Sequence, residues 1–186
     1  MKTNRRLYRS IAVFAGVVVV STVVATAASA RPTPQTAAGD VLDPRTYAPD
    51  SRLYLVLHAN GVQKYTCQAN GTWLFTDPEA MLDKTTGAPK QVGTHFLNFA
   101  TGRPVWQHKG GSSVEAARTQ SATGGPGNIA WLLLQAVATS PGRLGETTWI
   151  QRLNTTGGLA PGGSCTPGAT VAVPYTADYF FWRDGG

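Results

Sequence analysis

The side chains able to do acid–base chemistry in this chain are three histidines and ten acids. His58, His95 and His108 are the natural general-base candidates, because imidazole titrates nearest neutrality. No two of them stand at metal-ligand spacing, and neither Cys67 nor Cys165 has a Cys or His partner at such spacing. No metal is therefore expected from the pattern. Asp77, Glu79 and Asp83 would share one side of a helical turn, which reads as a solvated face. The chain has no Gly-x-Ser-x-Gly, no His-Glu-x-x-His, no Gly-Lys-Ser/Thr phosphate loop and no Gly-x-Gly-x-x-Gly after a strand. No catalytic residue and no cofactor is assigned.

Polar residues inside apolar, strand-like runs remain. His58, Gln63, His95, Gln151 and Arg152 are the candidate ligand-binding residues. Gln151 and Arg152 are adjacent, so in a regular strand they point to opposite faces and at most one joins any given pocket. Five tryptophans, Trp73, Trp106, Trp131, Trp149 and Trp182, are either stacking platforms for flat ligands or core. Core packing is the expectation for most of them.

Short strands must position these groups. In "RLYLVLHANGVQKYTCQANGTWLFT" the triplet Ala-Asn-Gly occurs twice, ten residues apart. Asn-Gly between apolar runs is a strong hairpin signal, because both turn residues take positive φ. Turns at Asn60-Gly61 and Asn70-Gly71 predict a three-stranded meander. Its register pairs His58 with Gln63, Val56 with Tyr65, Cys67 with Leu74 and Gln68 with Trp73. His58 and Gln63 then form a polar pair on one face.

Beyond the meander, "DPEAMLDK" reads as one helical turn or a short helix. "KQVGTHFLNF" and "RPVWQHK" read as strands around a turn at 100–102. "GGSSVEAARTQSATGGPGN" reads as polar loop with one short strand or helical piece. "IAWLLLQAVAT" and "GETTWIQRLNTT" are strands, "GGLAPGGSCTPG" is loop, and "ATVAVPYTADYFFWRD" is two strands broken at Pro174. The sum is an all-β domain, an antiparallel sandwich or barrel of about eight to ten short strands with one disulfide.

The first thirty residues are set apart. "MKTNRRLYRS" is basic, an 18-residue apolar run follows, and Ala28-Ser29-Ala30 is a small-residue cleavage site. This is the pattern of a secretory signal peptide over 1–30, cleaved after Ala30. The apolar run is close to the lower limit for a membrane span, so an uncleaved anchor is the alternative. Residues 31–52 hold four prolines and read as an extended arm or linker, with Leu42 and Tyr47 as docking points. Residues 53–186 are a single β domain. Losing 1–30 leaves 12 basic and 10 acidic residues, a net charge of +2, so the basic balance carries no expectation of nucleic-acid binding. No membrane association is expected after cleavage. Export places Cys67 and Cys165 in an oxidising compartment, where pairing is the default and free thiols the alternative.

"HANGVQKYTCQANGTW", "VGTHF", "IAWLLLQAV", "TTWIQRLNTTGGLAPGGSC" and "VPYTADYFFW" together resemble a secreted family of bacteria and fungi known as domain of unknown function three-four-five-five. The resemblance runs from about Leu53 to Trp182. Its "GVQ-x-Y-x-C" and "GG…C" segments imply pairing of Cys67 with Cys165. It implies no mechanism and no catalytic residue. The reading favoured is a secreted or envelope protein, a non-enzymatic module that binds a ligand or surface, with a polysaccharide or cell-surface ligand as partner. The alternatives are an extracellular hydrolase-type enzyme with a histidine-based site, and a stress-related surface protein with no small ligand. Oligomeric state is left open.

Overall fold

The computed structural model describes residues 39–84 and 90–186; the expected signal peptide and its cleavage point lie outside them. Eight strands follow one another in chain order: β1 (Arg52–Cys67), β2 (Trp73–Asp83), β3 (Gln91–Asn98), β4 (Arg103–His108), β5 (Ser113–Ala122), β6 (Trp131–Thr139), β7 (Trp149–Gly157) and β8 (Thr170–Arg183). Each is antiparallel to the next, and β8 returns to β1, so the sheet closes into a barrel. Of the two all-β architectures expected, the barrel is the one formed.

Alternation along each strand decides what faces inward. Leu55, Leu57 and Ala59 of β1, Leu134 of β6, Ile150 of β7 and Phe181 of β8 meet in one interior cluster. Leu144, from the loop between β6 and β7, is fully buried in the same cluster. These residues fill the barrel end opposite to Cys67. Each large apolar side chain so buried contributes about 1.5–3 kcal/mol relative to exposure.

The first Asn-Gly pair makes no turn. β1 runs straight through it, with Asn60 and Gly61 paired to Thr176 and Tyr175 of β8 on one side and to Met81 and Ala80 of β2 on the other. The physical reason for the glycine is close approach rather than positive φ. A Cβ at position 61 would lie 2.1 Å from the Glu79 carbonyl oxygen and 2.5 Å from Ala80 Cβ. Unbroken alternation then separates the expected polar pair: Gln63 points into the barrel and His58 to its outer surface. The second pair is a turn. Gly71 has φ of 77°, its N–H donates to the Gln68 carbonyl, and Asn70 Oδ1 accepts from Thr72 N. Cys67 pairs with Trp73, one residue from the expected register.

Three more elements differ from expectation. "DPEAMLDK" contributes to β2 rather than to a helix, because Ala80 and Leu82 alternate inward. "SVEAARTQSA" is a full ten-residue strand, β5, with Val114 and Ala116 in the core. Pro174 lies inside one continuous β8. There β8 has passed the end of β7, whose pairing stops at Tyr175, so the proline has an edge-like position.

Residues 39–51 pack on the outside of the barrel. One helical turn (Gly39–Leu42) leads into a 3₁₀ turn (Pro44–Thr46) capped by Asp43, whose carboxylate accepts from Arg45 N. Leu42 is buried against Leu133, Trp149 and Trp182, and Tyr47 stacks on Trp149 at 5.6 Å. At the other end, Cys67 and Cys165 form the disulfide, 98 residues apart in sequence.

Candidate functional site

The half of the barrel nearest Cys67 holds a cavity of about 530 Å³, to whose wall the interior cluster contributes Trp106, Ile129, Leu134 and Tyr179. Strand alternation supplies its walls. Gln63 and Tyr65 come from β1, His95 from β3, Trp106 from β4, Arg152 from β7 and Tyr179 from β8. Closed eight-stranded barrels have interiors just wide enough for packed side chains or one small ligand. This one does both, one in each half.

The buried end of the cavity is aromatic and polar together. His95 is 3% exposed and stacks on Trp106 with ring centroids 4.5 Å apart, and Tyr179 leans on both rings. His95 Nδ1 lies 2.9 Å from the Val105 carbonyl oxygen. A carbonyl only accepts, so Nδ1 carries the proton and Nε2 is left as a lone-pair acceptor. Burial is the main cause that lowers the His95 pKa from 6.5 to about 3; the charge of Arg152 pushes the same way and the bond to Val105 opposes. The ring is therefore neutral at neutral pH. Burial likewise raises the Tyr179 and Tyr65 hydroxyls above their ordinary value, with Arg152 opposing in each case.

Hydrogen-bond accounting separates this region from an ordinary core. Among the described residues, the buried side-chain atoms with no protein partner are Ser51 Oγ, Gln63 Nε2, Trp106 Nε1, Trp131 Nε1, Tyr175 OH and Tyr179 OH. Three of these belong to cavity-lining side chains, Gln63, Trp106 and Tyr179. Tyr175 sits four residues before Tyr179 on the same face of β8. The Tyr175 and Tyr179 hydroxyls and the Gln63 amide are near enough to perturb one another, yet none of those contacts has normal hydrogen-bond geometry. Buried polar groups are ordinarily paired, since leaving one unpaired costs about 1–3 kcal/mol. Arg152 does have a partner: its Nε and Nη2 both donate to the Ala130 carbonyl, at 3.1 and 2.8 Å.

The five candidate residues thus part company. Gln63, His95 and Arg152 line the cavity. Gln151 points outward beneath residues 39–51, where its Nε2 donates to the Leu42 carbonyl and its Oε1 accepts from Trp182 Nε1, both at 2.7 Å. It is a clasp for that segment. His58, on the outer surface, bonds Asp178 Oδ1 through Nδ1 at 2.5 Å, and Asp178 Oδ2 accepts from Asn154 Nδ2 at 2.8 Å. Trp106 was expected as a platform or as core, whereas Tyr175 and Tyr179 were not singled out from the sequence. Their signal was available in part, because a Tyr-x-x-x-Tyr spacing in a strand puts both rings on one face.

A family model described as protein of unknown function (DUF3455) matches residues 48–183. The chain belongs to the DUF3455 family. No curated protein and no solved structure matches it. In this DUF3455 domain the matched span begins after Tyr47 and ends at Arg183, so it takes in every strand and every cavity residue named above.

Proposed function

We propose that this DUF3455 protein is an exported, non-enzymatic binding protein that holds one small organic ligand inside its barrel. The observation that carries the reading is the cavity itself. Its roughly 530 Å³ falls within the size range of small-molecule sites, and its lining includes Gln63, Trp106 and Tyr179, each of which carries a buried polar atom with no protein partner. Apolar walls with a few fixed polar groups are the usual composition of such a site. Export rests on the sequence pattern of residues 1–30. It is supported by the Cys67–Cys165 disulfide, a bond favoured in oxidising compartments. Among the described residues no helix is long and apolar enough to cross a membrane. A barrel spanning a bilayer with its strands would carry an apolar outer band. The outer surface here carries Lys64 paired with Asp77 and Glu79, and His58 paired with Asp178.

A small ligand fits these observations better than a polymer. Trp149 and Trp182, available in principle as sugar platforms, are covered by residues 39–51, and Trp106 is inside the barrel. A hydrolase-type reading would start from His58 and Asp178. The third member of that group is the Asn154 amide, which is no nucleophile.

Thermal unfolding with a panel of planar organic acids, their amides and soluble sugars tests the proposal. A ligand present at a hundred times its Kd stabilises by about 2.7 kcal/mol and raises the melting temperature accordingly. At least one small compound should do so, and insoluble polysaccharides should not pellet the protein. Pelleting with a polymer and no stabilisation by any small compound would overturn it.

A further inference from the structure

We infer that the ligand is a small organic anion, a carboxylate or an equivalent acid on an apolar body, with Arg152 as its counter-charge. This rests on the binding reading above and adds the chemical class. Three arginines, Arg103, Arg118 and Arg152, line the cavity, and no aspartate or glutamate does. Arg103 lies 3.6 Å from Glu115 at the exposed rim, so its charge is partly met. Arg118 and Arg152 have no carboxylate within ion-pair distance among the described residues. Arg118 is exposed to solvent, which screens it. Arg152 is only partly exposed, and its sole hydrogen-bond acceptor of normal geometry is the neutral Ala130 carbonyl. Guanidinium and carboxylate match in charge and in fork geometry, so a partly buried arginine with no acid beside it is a ready partner for an acid. Inside the barrel that acid has to arrive with the ligand.

The remaining lining is consistent in kind. Trp106 Nε1 is a donor without a partner, and the Gln63 amide and Tyr179 hydroxyl can donate as well. Trp106 Nε1 is a donor alone, while the other two also accept, so the preference for an anion rests on the arginines. His95 adds no positive charge of its own, since burial keeps it neutral. The one cation deep in the site is then Arg152, and its field reaches His95, Tyr65 and Tyr179. His95, Trp106 and Tyr179 pack on one another and give the buried end an aromatic, apolar wall.

The test is calorimetric titration of the full chain at pH 7 with 1-naphthoate and its neutral counterpart 1-naphthamide. Naphthoate should bind at least tenfold more tightly. Arg152→Gln should bring the two probes to equal affinity, and Arg152→Lys should restore part of the preference. Equal affinity for the two probes in the unaltered protein overturns the anion assignment and leaves the cavity reading standing. A preference for naphthoate that survives in both Arg152 variants overturns the role of Arg152. Failure of the unaltered protein to bind either probe overturns the anion assignment and leaves the cavity reading to the wider panel of compounds. The comparison in the unaltered protein decides the charge question even where a variant fails to fold.

Discussion

His95 keeps its neutral form in the folded protein down to a pH of about 3, whereas the unfolded chain takes up the proton near 6.5. Between these values the unfolded state binds more protons than the folded one. This part of the stability is complete above pH 6.5 and is lost as pH falls, at up to about 1.4 kcal/mol per pH unit. Urea unfolding midpoints should therefore drop between pH 7 and pH 4.5, and His95→Gln should flatten that drop. An equally steep drop in the variant would assign the acid sensitivity to other groups. The sequence marked His95 as a polar residue within an apolar strand. It did not show the stacked Trp106 or the Val105 carbonyl, because those neighbours depend on the pairing of β3 with β4, which side-chain types alone do not specify.

At the scale of the element, the two Ala-Asn-Gly triplets show how one local signal serves two purposes. Asn70-Gly71 makes a turn through positive φ, and Asn60-Gly61 sits in the middle of a sixteen-residue strand. The difference comes from tertiary pairing: Gly61 lets β2 approach where any Cβ would overlap Glu79 and Ala80 backbone. Gly61→Ala should destabilise the protein by about 1–3 kcal/mol, the usual range for overpacking, with a matching shift in the denaturant midpoint. Gly71→Ala should cost less, about 1–2 kcal/mol for left-handed backbone in a residue with a Cβ. A Gly61→Ala variant as stable as the parent would overturn close approach of β2 as the reason for the glycine. The same blindness to pairing explains β2, β5 and β8. Glu79, Arg118 and Pro174 are poor local strand signals, and each sits in a strand fixed by its neighbours on the sheet.

For the whole molecule, all-β class and cysteine pairing were legible, because strand-like runs, turn residues and the two cysteines carry them. Closure into a barrel, with one end packed and the other hollow, was not legible. It follows from which residues alternate inward once all eight strands share one ring, and Leu55, Leu57 and Phe181 look no different in sequence from residues beside the cavity. The disulfide acts at this scale too. Cys165 N donates to the Gly71 carbonyl and Gly168 N to the Cys67 carbonyl, so the bond fastens the β7–β8 loop to the β1–β2 turn. The Cys67→Ala, Cys165→Ala double variant should lose up to about 4.7 kcal/mol, the loop-entropy value for a closed loop of about this length. Guanidinium unfolding of the two proteins measures it. A loss under about 1 kcal/mol would mean that the loop is held by its backbone hydrogen bonds alone.

The pairing of residues 52–66 with residues 170–183 has a consequence for biogenesis. The first strand made waits for the last, and long-range pairing of this kind is slow to form. A ribosome or secretion channel that still holds residues 170–183 withholds the partner that seals the sheet. Until then the sheet stays an open ribbon, and the release of residues 170–183 sets the time at which it can close into a barrel.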